Sequence, residues 1–338
     1  SCCNAGNRSG SFHLHVVLRK KDRRNTTMKA FITGISGFVG AGLARRLLKE
    51  GHEVHGLVRS STNLWRLEEI KTSLRLHEGD LLNKESMIRA LQVAKPDVVF
   101  HPATYGAYPA QKDKRKILET SVFSTLTLLE AAKDVGVSMF LNTGSSSEYG
   151  TKDHPMQEGE RIDPNSYYAV GKAAQTLLCQ HFAHEEKFPV ATLRLFSVYG
   201  QYEEPGRLVP TVILNAIQGK DISLADPRIA RDFIYLEDVV DAYLIATKRP
   251  DLAGEIFNVG TGVQTTLNEF AHAVVAETKS GAKIVAGAYE KRDFDTFTWV
   301  ADMEKTKKLL GFSARYNLTA GLKESIVWFQ GHGNYYKK

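Results

Sequence analysis

Few cysteines, no long apolar run, no internal repeat and no low-complexity segment mark this chain, and each absence removes a class of protein. Three cysteines in 338 residues, two of them the adjacent Cys2 and Cys3, supply neither a disulfide framework nor the paired spacing of a zinc site. Cys179 falls in a helical pattern and reads as a small buried apolar residue. No metal is expected. No segment reaches the roughly 18 apolar residues of a membrane span, and His13 to Leu18 is too short for a signal-peptide core. Cytoplasmic residence without a membrane partner is therefore the expectation.

A large excess of one charge is also missing from the body of the chain. The formal net charge is +6, which invites a nucleic-acid partner. Six basic residues (Arg8, Arg19, Lys20, Lys21, Arg23 and Arg24) and one acid, Asp22, lie in residues 1–28, leaving 38 basic against 37 acidic residues elsewhere. No nucleic-acid partner is expected of so neutral a body. Residues 1–28 lack core-forming periodicity, and Met28-Lys29-Ala30-Phe31 reads as the start of the first strand. This basic tail is expected to be a disordered extension, with a targeting segment or an interaction arm as the alternatives.

What the chain does have is regular alternation. Apolar, β-branched runs at Lys29 to Thr33, Glu53 to Val58, Leu74 to Glu78, Asp97 to His101, Ser138 to Thr143 and Pro189 to Leu195 read as strands. Between them, Phe38 to Leu48, Lys84 to Val93, Ile117 to Val135 and Ala169 to His184 carry a 3.6-residue rhythm. The pattern predicts an α/β fold, a Rossmann doubly wound parallel sheet over residues 29–200.

Two local motifs give this sheet a chemistry. Thr33-Gly34-Ile35-Ser36-Gly37-Phe38-Val39-Gly40 lies at a strand-to-helix turn. Gly34 permits the turn, Gly37 lets backbone approach a pyrophosphate, and Gly40 lets helix and strand pack closely, with phosphates at the helix N-terminus. Tyr168-Ala169-Val170-Gly171-Lys172 places a phenol and an ammonium one helical turn apart. The ammonium is expected to lower the phenol pKa and make it an acid or base. A serine should complete the set, and Ser145, Ser146 and Ser147 follow the fifth strand at its carboxyl end.

With these residues the chain resembles the extended short-chain dehydrogenase/reductases, also called the NAD-dependent epimerase/dehydratase family, which act on nucleotide sugars. The resemblance runs from about Met28 to about Phe329. It includes Gly79-Asp80-Leu81, His101-Pro102-Ala103, Ser145 to Gly150, Arg194 to Gly200, Arg231 to Tyr235 and Phe257-Asn258-Val259-Gly260. It implies a smaller α/β nucleotide-sugar lobe formed mainly by residues 201–338, with the strand near 255–259 returning to the main sheet. It implies Ser145, Tyr168 and Lys172 as the catalytic set, and a homodimer built on a helix pair that includes the Tyr168 helix.

The same resemblance nominates binding residues. Gly34, Ser36, Gly37, Phe38, Val39, Gly40, Arg59, Asp80, Leu81, Ala103, Tyr168 and Lys172 are expected to hold the cofactor. Val58 stands where NAD-specific relatives place Asp, and the adjacent Arg59 suits a 2′-phosphate, so NADP(H) is preferred with NAD(H) as the alternative. Ser146, Ser147, Ser197, Arg207, Arg231 and Arg292 are expected around the nucleoside-diphosphate sugar. Arg231 has Asp232 as an alternative ion-pair partner. Ser121, Ser197 and Pro102 depart from residues usual in the family.

In the family's 4,6-dehydratases the positions of Ser146 and Ser147 carry acids, so dehydration is not expected. Hydride transfer at C4 of a nucleoside-diphosphate hexose remains. Gly287 to Asp293 and Thr104-Tyr105-Gly106 resemble the CDP-abequose and CDP-paratose synthases, which are 4-ketoreductases, and with Arg59 this favours a reductase acting on a 4-keto-6-deoxyhexose. A 4-epimerase uses the same residues and is the alternative. A non-catalytic dinucleotide-binding regulator is the remote one.

Overall fold

The computed structural model describes residues 27–287 and 296–336. Strands β1 (Lys29–Thr33), β2 (Glu53–Val58), β3 (Arg75–Glu78), β4 (Val98–His101), β5 (Met139–Ser145) and β6 (Val190–Leu195) alternate with helices α1 (Phe38–Lys49), α2 (Lys84–Ala94), α3 (Lys114–Leu118), α4 (Ser124–Asp134) and α5 (Tyr167–Glu186). Then come β7 (Ser197–Tyr199), α6 (Leu208–Ile217), β8 (Ile222–Ser223), β9 (Ala230–Arg231), β10 (Phe233–Tyr235), α7 (Leu236–Ala246) and β11 (Ile256–Val259). β12 (Thr265–Thr266), α8 (Leu267–Thr278), β13 (Ile284–Val285) and α9 (Leu318–His332) complete the described chain.

Seven parallel strands form the central sheet in the order β11-β6-β5-β4-β1-β2-β3. This is a Rossmann-like doubly wound sheet. β1, β4 and β5 are buried almost throughout, as expected of strands covered by helices on both faces. The order reverses between β1 and β4, and at such a switch point a crevice opens at the carboxyl ends of the strands. β1 ends at Thr33, β4 at His101 and β5 at Ser145, so the residues that follow them share that crevice.

Two core clusters fill the sheet faces, one with Ile32, Leu43, Phe100 and Tyr243, the other with Phe31, Leu91, Leu128 and Phe140. A third belongs to the lobe, where α6, α8 and α9 pack with Ile213, Phe233, Phe270 and Leu322. The 117–135 pattern, read from sequence as one helix, is α3 and α4 joined by a π-helical turn over Glu119–Phe123. That widened turn lies against α5, and π-turns of this kind often adjoin functional sites. No helix among the described residues is long and apolar enough to cross a membrane.

Candidate active site

The glycine turn fits a pyrophosphate. Gly34 has φ 63, and a Cβ there would stand 2.7 Å from Ala103 Cα. A Cβ on Gly40 would lie 2.3 Å from the Gly34 carbonyl oxygen. Backbone therefore closes on backbone, and no side chain caps α1 at Gly37. The helix N-terminus is left as an anion cradle, lined by half-buried Ser36, Phe38 and Val39.

The serine is set by a buried ion pair. β5 runs through Ser145, whose Oγ accepts from the Ser147 amide at 3.2 Å. Glu148 Oε1 accepts from the Ser145 amide at 2.7 Å, and its Oε2 accepts from Arg194 Nε at 2.8 Å. The Arg194 guanidinium lies over the Tyr149 ring, 4.6 Å from its centroid. Burial pushes the Glu148 carboxyl above its ordinary range, against the opposing pull of Arg194 and the Ser145 amide.

Tyr168 and Lys172 sit on the first turns of α5, which Ser166 caps by accepting from the Ala169 amide. Burial raises the Tyr168 phenol, while its interaction with the Ser145 hydroxyl pulls the other way. Lys172 is buried and pushed down to about 8 by desolvation. Its Nζ donates to the Thr143 carbonyl at 2.8 Å and to Gln175 Oε1 at 2.9 Å. The expectation that Lys172 lowers the Tyr168 pKa is not met here. Its ammonium is turned toward β5 and Gln175, so burial dominates the phenol. Tyr167 is exposed, with Lys114 over its ring.

On the lobe side, Trp299 Nε1 donates to Ser146 Oγ at 3.1 Å, and the Arg231 guanidinium lies 5.5 Å from the centroid of the Trp299 ring. Asp232, the alternative partner considered for Arg231, spends its carboxylate on the Thr261 amide and hydroxyl and on the amides of Gly262 and Ala301. Trp299 was not foreseen. Its contact with Ser146 spans 153 residues, and no local spacing announces it. Ser147 is half-buried beside Ser146, and Ser197 is half-buried at the start of β7, its amide bonded to the Asp232 carbonyl. Arg207, exposed at the N-cap of α6, reaches across to the Ala107 carbonyl and the Tyr108 ring.

The remaining cofactor candidates are spread along the crevice. Arg59 is exposed immediately after β2, its amide held by Thr62 Oγ1. Asp80 accepts from the Leu82 amide, and Leu81 lines an open depression of about 390 Å³ beside Phe123 and Thr127. Arg292 lies outside the described residues. No group of three or more His, Cys, Asp or Glu among the described residues is placed to hold a metal ion.

The model of the NAD dependent epimerase/dehydratase family matches residues 30–260. UDP-glucuronate 4-epimerase of Thermodesulfobacterium geofontis is 29% identical over 309 residues, 88% of this chain and 94% of that protein. UDP-N-acetyl-alpha-D-glucosaminuronate decarboxylase of Bacillus cytotoxicus is 29% identical over 320 residues, covering 89% and 98%. The UDP-glucuronic acid 4-epimerase of Bacillus cereus, solved with UDP-glucuronic acid and NAD, superimposes with a TM-score of 0.80 at 25% identity, covering 90% and 99%. The glycine turn, the Tyr168/Lys172 helix and the seven-stranded sheet thus carry a full-length likeness, and the chain belongs to the NAD-dependent epimerase/dehydratase family of extended short-chain dehydrogenase/reductases, enzymes of nucleotide sugars.

Proposed function

We propose that this enzyme transfers hydride at C4 of a UDP-hexose or UDP-hexuronate and does no elimination chemistry. The observation that carries this reading is what flanks Ser145. Ser146 and Ser147 bear no carboxylate, and the nearby Glu148 is paired with Arg194, so nothing beside Ser145 offers a free carboxylate to pull a proton from the sugar ring. When bound, NAD(P) supplies the hydride acceptor or donor.

The chain's own residues handle the proton and the alignment. Tyr168 takes the O4 proton during oxidation and returns it during reduction. Ser145, fixed by Glu148 through its amide, hydrogen-bonds O4 and holds it at the phenol. Lys172 keeps a positive charge near the nicotinamide ribose, and Arg231 and Arg207 supply cations for the diphosphate. Transient oxidation followed by return of hydride to the other face makes the chain a 4-epimerase, the activity named for two of the relatives above. Net reduction of a 4-keto sugar, with NADP(H), is the second reading, and Arg59 at the end of β2 favours it.

Cofactor balance separates the two. An epimerase interconverts C4 epimers of UDP-glucose or UDP-glucuronic acid without added nicotinamide, whereas a reductase oxidises NADPH stoichiometrically with a nucleotide 4-keto-6-deoxysugar. Absorbance at the reduced-nicotinamide band and NMR of the product decide between them. Absence of turnover on UDP-, CDP-, dTDP- and GDP-sugars in both assays would sink the proposal. Arg59→Asp should weaken NADP(H) far more than NAD(H), and equal losses in calorimetry would remove the case for NADP(H).

A homodimer fits the same reading. Tyr167, Val170 and Leu177 lie exposed along α5, and Phe123 is 67% exposed on the neighbouring π-turn. Together they make an apolar ridge of the kind that covers itself in an isologous pair.

A further inference from the structure

Lys172 is not held by α5 alone. Its side chain is buried, and an ammonium has three N–H groups to place. The Thr143 carbonyl and Gln175 Oε1 take two of them. Gln175, three residues on and 1% exposed, is itself held from behind. Its Nε2 donates to Thr125 Oγ1 at 3.1 Å. Thr125 Oγ1 lies 2.9 Å from His101 Nε2, and His101 Nδ1 lies 2.6 Å from Thr33 Oγ1.

Proton counting, with the burial of His101, gives each bond in this row a direction. The Thr125 hydroxyl has one proton, and it goes to the Ser121 carbonyl at 2.8 Å. His101 must then donate from Nε2. Burial pushes His101 down to about 3 and keeps the ring neutral, so its Nδ1 accepts from the Thr33 hydroxyl. Gln175 can point only one way, because its amide nitrogen has no proton acceptor in an ammonium. The row therefore runs, fully oriented, from Thr33, the residue before the first glycine of the cofactor turn, through β4 and α4 to the lysine on α5.

An apolar side chain at position 175 would satisfy packing between α5 and α4 equally well. What the amide adds is an acceptor for Lys172 and a donor for Thr125. Resting on the reading of Lys172 given above, we propose that Gln175 is a positioning residue of the reaction, and that Thr125 and His101 brace it so that the lysine presents its third N–H to the reacting side of the crevice. The charged and titratable groups that face Lys172 are Glu148 and Cys179, which favour its charged form, and His101, which is neutral. Loss of the Gln175 acceptor removes support from the charged ammonium in a site where burial already opposes it.

The test compares Gln175→Leu, Gln175→Glu and Thr125→Val with the native full-length enzyme. The 15Nζ resonance of Lys172, assigned by its disappearance in Lys172→Met, is titrated by NMR, and kcat and KM are followed over the same pH range. Gln175→Leu should titrate about one unit lower, with kcat at pH 8 down about ten-fold and KM for the sugar nucleotide changed by less than about two-fold. Gln175→Glu should titrate higher than native. Thr125→Val should move the resonance in the same direction as Gln175→Leu by a smaller amount, which keeps a reading available if the leucine variant does not fold. An unmoved Nζ titration in these variants overturns the proposal, even if kcat falls, since a merely structural role would leave the lysine's proton affinity unchanged. If no sugar nucleotide turns over, the functional reading fails while the NMR titration still decides the role of Gln175.

Discussion

Removing Glu148, in the turn that follows β5, should cost the protein several kcal/mol of stability, on the order of a broken buried ion pair. Its side chain is fully buried and that of Arg194 is 3% exposed, so Glu148→Ala strands a guanidinium in the interior. Breaking a buried pair in this way costs about 3–5 kcal/mol, and the Ser145 amide loses its acceptor as well, a loss of about 1–3 kcal/mol taken alone. The two share one carboxylate and do not add, so about 4 kcal/mol is the working figure. With an unfolding entropy of about 2.1 cal/mol/K per residue, a chain of 338 residues should melt roughly 6 °C lower. Glu148→Gln keeps an acceptor for Ser145 and should lose about half as much. Glu148→Leu combined with Arg194→Met exchanges the pair for apolar volume and should recover most of the loss. Differential scanning calorimetry at one protein concentration measures all four proteins, with initial rates alongside, since a loosened Ser145 should slow turnover in Glu148→Gln before it unfolds the protein. The reasoning is refuted if Glu148→Ala melts within about 3 °C of native, or if the double variant is no more stable than the single one.

Tyr168→Phe should fold and bind cofactor normally while turnover falls by roughly 100-fold or more, because only the proton-carrying hydroxyl is lost; near-native rates at saturating cofactor would remove it from the chemistry. In Gly40→Ala the new methyl meets the Gly34 carbonyl, which is backbone and cannot swing away, so a stability loss of about 1–3 kcal/mol with weakened cofactor binding is expected, measured by thermal melting and reduced-nicotinamide fluorescence. Lys172 has a folded pKa of about 8 against 10.5 in the unfolded chain. Its charge is complete below pH 8 and lost above it, so kcat/KM should fall on the alkaline side and that limb should be absent from Lys172→Arg. Over pH 8 to 10.5 the unfolded chain binds a proton the folded chain does not, so this one group favours folding increasingly across that window.

The first half of the chain is legible because its signals are local. A strand, a glycine turn and an amphipathic helix occupy residues 29–49, and the Tyr168/Lys172 pair needs only a helical turn to meet. β5 extends two residues beyond its sequence reading, through Ser145, because the Glu148 carboxylate holds the Ser145 amide in extended geometry. What escaped the sequence depends on distance. Glu148 meets Arg194 46 residues away, and Thr125 meets Gln175 50 residues away. The π-turn at Glu119–Phe123 adds one residue to a helical rhythm that hydrophobic spacing does not resolve. The expectation that the lysine lowers the tyrosine's pKa rested on charge alone, and burial of the phenol, which the local spacing does not reveal, raises it instead.

The pairing of β11 with β6 ties the two halves of the chain together in time as well as in space. β6 is complete at Leu195, but its outer neighbour begins only at Ile256, so a chain emerging from the ribosome carries a row of unpaired backbone groups until the whole intervening stretch of the lobe has been made. Such an edge recruits other strands. The lobe is thus a long loop in the sheet's own connectivity, and cutting the chain near Gly200 would leave an adhesive sheet rather than an independent nucleotide-binding domain. Evolutionary exchange of the lobe for another substrate specificity must accordingly preserve both of its attachment points, the exit after β6 and the re-entry at β11.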